Sequence, residues 1–166
     1  EPWDILNTST TGGVALETAV ATVKALGGAT GDNTFFYNNS SLVDGLSVTV
    51  SYVPSDATIT DSATDFAVAY TGVEGLTVGY ASGENGLSGT SAIDNETMYV
   101  KYAYGPVVVG YQESSQEADG ITNDDEYTAM GISYAVNDSL SISYGVTEYD
   151  DKNSTTDQET TAIGFS

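Results

Sequence analysis

The sequence predicts an all-β chain, an antiparallel up-and-down barrel that crosses a membrane with its strands. Three observations carry this. From residue 34 onward, apolar residues alternate with small or polar ones at period two, which marks strands with two unlike faces. The connections between those strands alternate between tight turns and longer stretches. The second strand face is Ser, Thr, Ala and Gly, with Lys101 as the one charge placed well inside a strand.

Taken in order, residues 1–33 differ from the rest. Leu16, Ala19, Val20, Val23 and Leu26 follow helical spacing, with Thr10 to Gly13 as a start and Gly27-Gly28 as a stop. They predict a long connection carrying one short helix and ending near Asp32. A first strand is expected near 34–41. The second is Leu46-Ser47-Val48-Thr49-Val50-Ser51-Tyr52, the third Phe66-Ala67-Val68-Ala69-Tyr70, and the fourth Leu76-Thr77-Val78-Gly79-Tyr80. The same alternation places further strands at 98–104, 107–111, 130–134, 140–146 and 162–165, nine in all.

Tight turns fall at 42–45, 72–75, 104–106 and 135–138, and longer stretches near 54–64, 82–96, 114–126 and 149–158. Gly45, Gly75, Gly105 and Asn137 are spaced by 30, 30 and 32 residues, so one hairpin unit repeats along the chain. A soluble meander has no reason to keep its tight turns at one end and its long connections at the other. A membrane barrel does, because its two rims face different compartments. A Greek-key sandwich mixes connection lengths and covers its solvent face with charge.

Tyrosines mark the strand ends. Tyr52, Tyr80, Tyr111 and Tyr144 lie toward the long connections, and Tyr70, Tyr104 and Tyr134 toward the tight turns. Two such rows suit the two interfaces of a bilayer, where an aromatic ring with a polar tip is at home.

Composition excludes more than it selects. There are 24 Asp and Glu against three Lys, a formal charge of −21, so nothing here could replace the counterions of a nucleic acid. Without His or Cys, triad and thiol catalysis, His/Cys zinc sites and disulfides are ruled out, and no enzyme activity is expected. No stretch approaches the roughly 18 apolar residues of a spanning helix. Gly83-x-x-Gly86-x-x-Gly89 lacks both the strand-to-helix setting and the basic residue of a phosphate loop. No resident cofactor is expected. Asp124-Asp125-Glu126 and Asp150-Asp151, with Asp94 and Glu96, are the candidates for weak Ca²⁺ binding, although none has the spacing of a known calcium loop. Position matters more than total charge: Asp44, Glu74 and Asp138 fall in tight turns, and the other carboxylates after residue 33 fall in or beside the long connections, leaving none for a strand centre.

The run Asn33-Thr34-Phe35-Phe36-Tyr37-Asn38-Asn39-Ser40-Ser41, then Asp44-Gly45-Leu46-Ser47-Val48-Thr49-Val50-Ser51-Tyr52, resembles the general porins of Gram-negative bacteria, of α-proteobacterial type. The repeated unit Gly75-Leu76-Thr77-Val78-Gly79-Tyr80 adds to the resemblance, which covers residues 34–166 in pattern. It implies a sixteen-stranded barrel in the cell outer membrane, a homotrimer, and a third extracellular loop folded into the lumen. Residues 1–33 would be that loop, and the nine strands the sixth to fourteenth, with the barrel incomplete at both ends. Pore-lining and constriction residues would be Asp4, Glu17, Lys24 and Asp32 on the loop and Lys101 on the wall. The family's wall-side arginine cluster has no counterpart in a chain without Arg.

The function expected is passive diffusion of ions and small hydrophilic solutes, with a preference for cations. Lipid and lipopolysaccharide are the expected partners, the latter through divalent ions at the acidic connections. The alternative is a soluble or surface-displayed acidic β-sandwich or β-solenoid module of calcium-dependent adhesin or S-layer type.

Overall fold

The structure is a computed structural model that describes residues 35–55, 62–85, 93–118, 125–151 and 157–165. These form one antiparallel sheet of β1 (Phe35–Asn39), β2 (Leu46–Val53), β3 (Ala63–Tyr70), β4 (Leu76–Asn85), β5 (Ile93–Tyr104), β6 (Val107–Ala118), β7 (Asp125–Asn137), β8 (Leu140–Asp151) and β9 (Gln158–Phe165). Spatial order is sequence order, and the sheet is open between β1 and β9. The expected loop and helix of residues 1–33 lie outside the described residues.

All nine expected strands are present, but most reach further toward the long connections than the apolar pattern shows. β4 continues to Asn85, β6 to Ala118 and β8 to Asp151, while β5 begins at Ile93, β7 at Asp125 and β9 at Gln158. The ladder is unbroken there, for instance Glu84↔Asp94↔Glu117 across β4, β5 and β6. The outward face turns acidic in these extensions, so the apolar alternation is lost although the pairing continues.

The extensions correct the expectation that no carboxylate sits inside a strand. Glu113 is mid-strand in β6, Asp65 lies within β3, and Glu96 and Glu148 lie within β5 and β8.

Period-two alternation splits every strand between two unlike faces. One carries Val48, Val50, Val68, Val78, Val100, Val109, Ile132, Ile142 and Ile163, in register across β2 to β9. Its large side chains are half-buried at Val48, Val50 and Val68 and exposed at most other positions, up to 74% at Tyr104. The other carries Ser51, Ala81, Thr97, Ser114, Ala129, Ser133, Ser143 and Thr147, all buried, with Ala129 at 0% and Thr97 at 2%. Burial by small residues requires the sheet to curl toward them, and Gly110↔Gly131↔Gly145 across β6 to β8 leaves room for that curl. A sandwich would bury the opposite face against a second sheet, and no second sheet exists among the described residues.

Tight turns set the register. In the first, Leu46 N–H donates to Val43 O (3.0 Å) around Gly45, and in the second Leu76 N–H donates to Val73 O (3.0 Å) around Gly75. Both glycines have φ +76°, which a side chain with a Cβ rarely adopts. The Gly45 and Gly75 carbonyls then accept from Thr71 and Ala103 of the next hairpin, each at 2.7 Å. The fourth turn has no positive φ. A register shift between Ala135 and Asn137 and the Ser139 N–H→Asn137 Oδ1 bond (2.9 Å) serve instead.

The hairpins are staggered. Leu46 of β2 shares a hydrogen-bonding row with Tyr70, Val78 and Val100, whereas β4 begins one row lower at Leu76, opposite Tyr102. β6 begins lower again, with Val107 opposite Tyr104 and Tyr134, and β8 lower still, with Leu140 opposite Asn137. Three two-residue steps of about 6.6 Å over six strands about 4.8 Å apart incline the rim to the rows by roughly 35°. The apolar boundary at the other end descends in parallel. Phe66 is still apolar beside Ser82, Met98 one row lower beside Glu113, and Val146 lower again beside Thr161.

Candidate functional site

Stagger, curl and two unlike faces make the small-residue face the inner wall of a curved sheet. Lys101 stands on it, between Thr77 of β4 and Gly110 of β6. The expected loop charges Asp4, Glu17, Lys24 and Asp32 lie outside the described residues, so no facing group is seen across from the wall.

Above Lys101 the wall is uncharged for two rows. The lower row runs Gly79↔Tyr99↔Gln112↔Ala129↔Thr147↔Thr160, and the upper Ala81↔Thr97↔Ser114↔Tyr127↔Tyr149↔Gln158. Their polar groups bond to one another. Thr97 Oγ1 and Ser114 Oγ are 2.6 Å apart, Thr97 Oγ1 donates to Glu113 O (3.2 Å), and Gln112 Nε2 donates to Ser114 Oγ (3.3 Å). Tyr99, Tyr127 and Tyr149 gather here with Ala129 and Ala162 into an apolar patch. Tyr99 lies over Gly79, where a Cβ would run into its ring.

The next row up carries charge and amides. Ser51 Oγ donates to Asp65 Oδ2 (2.7 Å), Asp65 lies over Gly83, and Gln116 Nε2 donates to Asn95 Oδ1 (2.8 Å). Asp125 stands beside Gln116 in the same row.

Asp151 pairs with Asp125 in that row, and nine other carboxylates of the strands have the opposite parity. Glu84, Asp94, Glu96, Glu113, Glu117, Glu126, Glu148, Asp150 and Glu159 share the parity of the apolar belt and stand beyond its end. A depression of about 450 Å³ between Phe66, Ser82, Glu84, Asp94, Glu96 and Glu117 lies on this outward face, not on the inner wall. Among the described residues no three acidic groups are disposed to hold a metal ion, so the expected Ca²⁺ binding gains no site.

All seven expected girdle tyrosines, Tyr52, Tyr70, Tyr80, Tyr104, Tyr111, Tyr134 and Tyr144, share the outward parity. Tyr144 lies inside the belt, because Val146 extends the apolar surface past it. The Tyr102 and Tyr104 rings stack with centroids 6.5 Å apart.

Tyr99, Gln112 and Tyr127 are absent from the sequence-derived set of wall residues. The signal was available, because Tyr99 is two residues from Lys101 and therefore on its face. Tyrosine as a girdle residue masked it.

Two comparisons bear on the identity of such a wall. The family model described as Gram-negative porin matches residues 1–166. No curated protein matches the chain.

Proposed function

Given that the chain belongs to the Gram-negative porin family, a family of outer-membrane channels, we propose that it forms part of a sixteen-stranded, trimeric barrel of α-proteobacterial type. Ions and small hydrophilic solutes diffuse through its water-filled lumen. The observation that carries this is the oblique belt: an apolar band crossing the hydrogen-bonding rows at roughly 35°, the tilt that strands of a membrane barrel adopt. The small-residue wall with Lys101, Asp65 and Asp125 lines the lumen, and residues 1–33 supply the inward loop with Asp4, Glu17, Lys24 and Asp32. Six of the seven tyrosines hold the belt at its two interfaces, and Tyr144 lies within it. The tight turns face the periplasm, and the acidic strand ends face outward among lipopolysaccharide headgroups, where divalent ions bridge like charges.

Cation preference belongs to this proposal in a weak form. Nine of the strand carboxylates point away from the lumen, so the wall's contribution to the field inside comes from Asp65, Asp125 and Asp151, opposed by Lys101, and adds to that of the loop charges. Exposed charge beyond a Debye length of about 8 Å is screened at physiological salt.

The test is extraction and reconstitution of the full-length protein. Detergent-dependent extraction, a heat-modifiable trimer on gels and stepwise conductance in planar bilayers are expected; release without detergent overturns the reading. In a salt gradient, Lys101→Glu is expected to move the reversal potential toward stronger cation selectivity. Anion selectivity of the unaltered protein at low salt sinks the preference.

A further inference from the structure

All the charge that the described strands place on the inner wall falls at two depths, and the two have opposite sign. Lys101 lies on β5 between Val100 and Tyr102, inside the apolar belt. Below it the row Ala103↔Val108↔Ser133↔Ser143 carries no charge. Asp65 and Asp125 share the row Ser51↔Asp65↔Gly83↔Asn95↔Gln116↔Asp125, which Asp151 continues. Asp65 adjoins Phe66, where the belt of β3 ends, and Asp125 stands five residues beyond Met130, where the belt of β7 ends. Lys101, Asp65 and Asp125 are all only partly buried. Six residues of β5 separate Lys101 from Asn95 in the acidic row, about 20 Å of strand.

That separation is about twice the Debye length of roughly 10 Å at 0.1 M salt, so the two zones act separately on the ions beside them. Cations outnumber anions near the acidic row, and anions outnumber cations near Lys101. Two such zones in series do not conduct equally in both directions. With the long-connection side positive, cations driven past the carboxylates and anions driven past Lys101 converge on the uncharged tier between, and salt accumulates there. With the polarity reversed both are drawn away, and the tier is depleted. We infer that the wall rectifies: the pore carries more current when its long-connection side is positive, and Lys101, Asp65 and Asp125 set that direction. This rests on the channel reading and adds a directional property to it.

The experiment records the full-length trimer in planar bilayers with 0.1 M KCl on both sides and compares currents at equal and opposite voltages. Asp138→Cys, exposed in the fourth tight turn, reports orientation by the side from which an impermeant thiol reagent reaches it. The ratio of currents is expected to exceed one with the long-connection side positive. In 1 M KCl, where the Debye length is about 3 Å, it should fall to one. Lys101→Gln should abolish rectification and Lys101→Arg should keep it. The double variant Asp65→Asn, Asp125→Asn should lose it from the other end. Because only wall residues change, charges elsewhere in the pore cancel in these comparisons. Equal currents in the unaltered protein at 0.1 M overturn the inference, as does the opposite polarity or a ratio that Lys101→Gln leaves in place. A protein that forms no channel at all instead fails the underlying function, and the two failures are separable in one recording.

Discussion

Gly75 and Gly105 occupy equivalent tight turns and both have positive φ, +76° and +56°, yet their surroundings differ. A Cβ at Gly75 would strike the Ala103 carbonyl oxygen, whereas at Gly105 it would meet nothing within 4 Å. Gly105→Ala should cost about 1 kcal/mol from backbone conformation alone. Gly75→Ala should cost more, because Ala103 is also tied to the Gly75 carbonyl at 2.7 Å and cannot withdraw. Urea unfolding from lipid vesicles, followed by circular dichroism, measures both; equal losses would contradict the contact. The spacing of these glycines was legible in the sequence. That Gly79 seats a tyrosine was not, because a glycine in a strand does not say which neighbour crosses it.

Along one element, the faces are divided residue by residue. Val68 and Ala67 are adjacent in β3, the first in the belt beside Val48 and Tyr80, the second on the inner wall beside Thr49 and Ala81. Val68→Arg places a charge against hydrocarbon and should cost about 2–4 kcal/mol, while Ala67→Arg faces water and should cost far less. Folding titrations into vesicles would show the difference, and similar penalties would mean that the belt does not face lipid. Such alternation made every strand readable where one face was apolar. It failed where β4 to β9 rise past the belt, because Glu84, Asp94, Glu113 and Glu148 alternate with other polar residues and leave no contrast to detect. The facing of those carboxylates was therefore missed, although parity counted from Lys101 would have given it.

At the scale of the whole molecule, the descending rows make a prediction about orientation. Strands of the full-length protein should tilt roughly 35° from the bilayer normal, as the stagger of one residue per strand requires. Polarised infrared dichroism on oriented bilayers reads this directly, and strands parallel to the normal would contradict it. The sixteen strands and the inward loop that we propose come from resemblance alone, because nine strands and an open edge contain no statement of how the circle is completed.

The outward carboxylates also fix how high the protein floats. Sinking by one two-residue step, about 5 Å along the normal, would drag Glu96, Glu113 and Glu148 into hydrocarbon. Rising by the same step would lift Phe66, Met98 and Val146 into water. Each movement is opposed by several strands at once, so the acidic tier acts as a waterline. The bilayer must adjust its thickness to the protein, and the protein need not search for its depth.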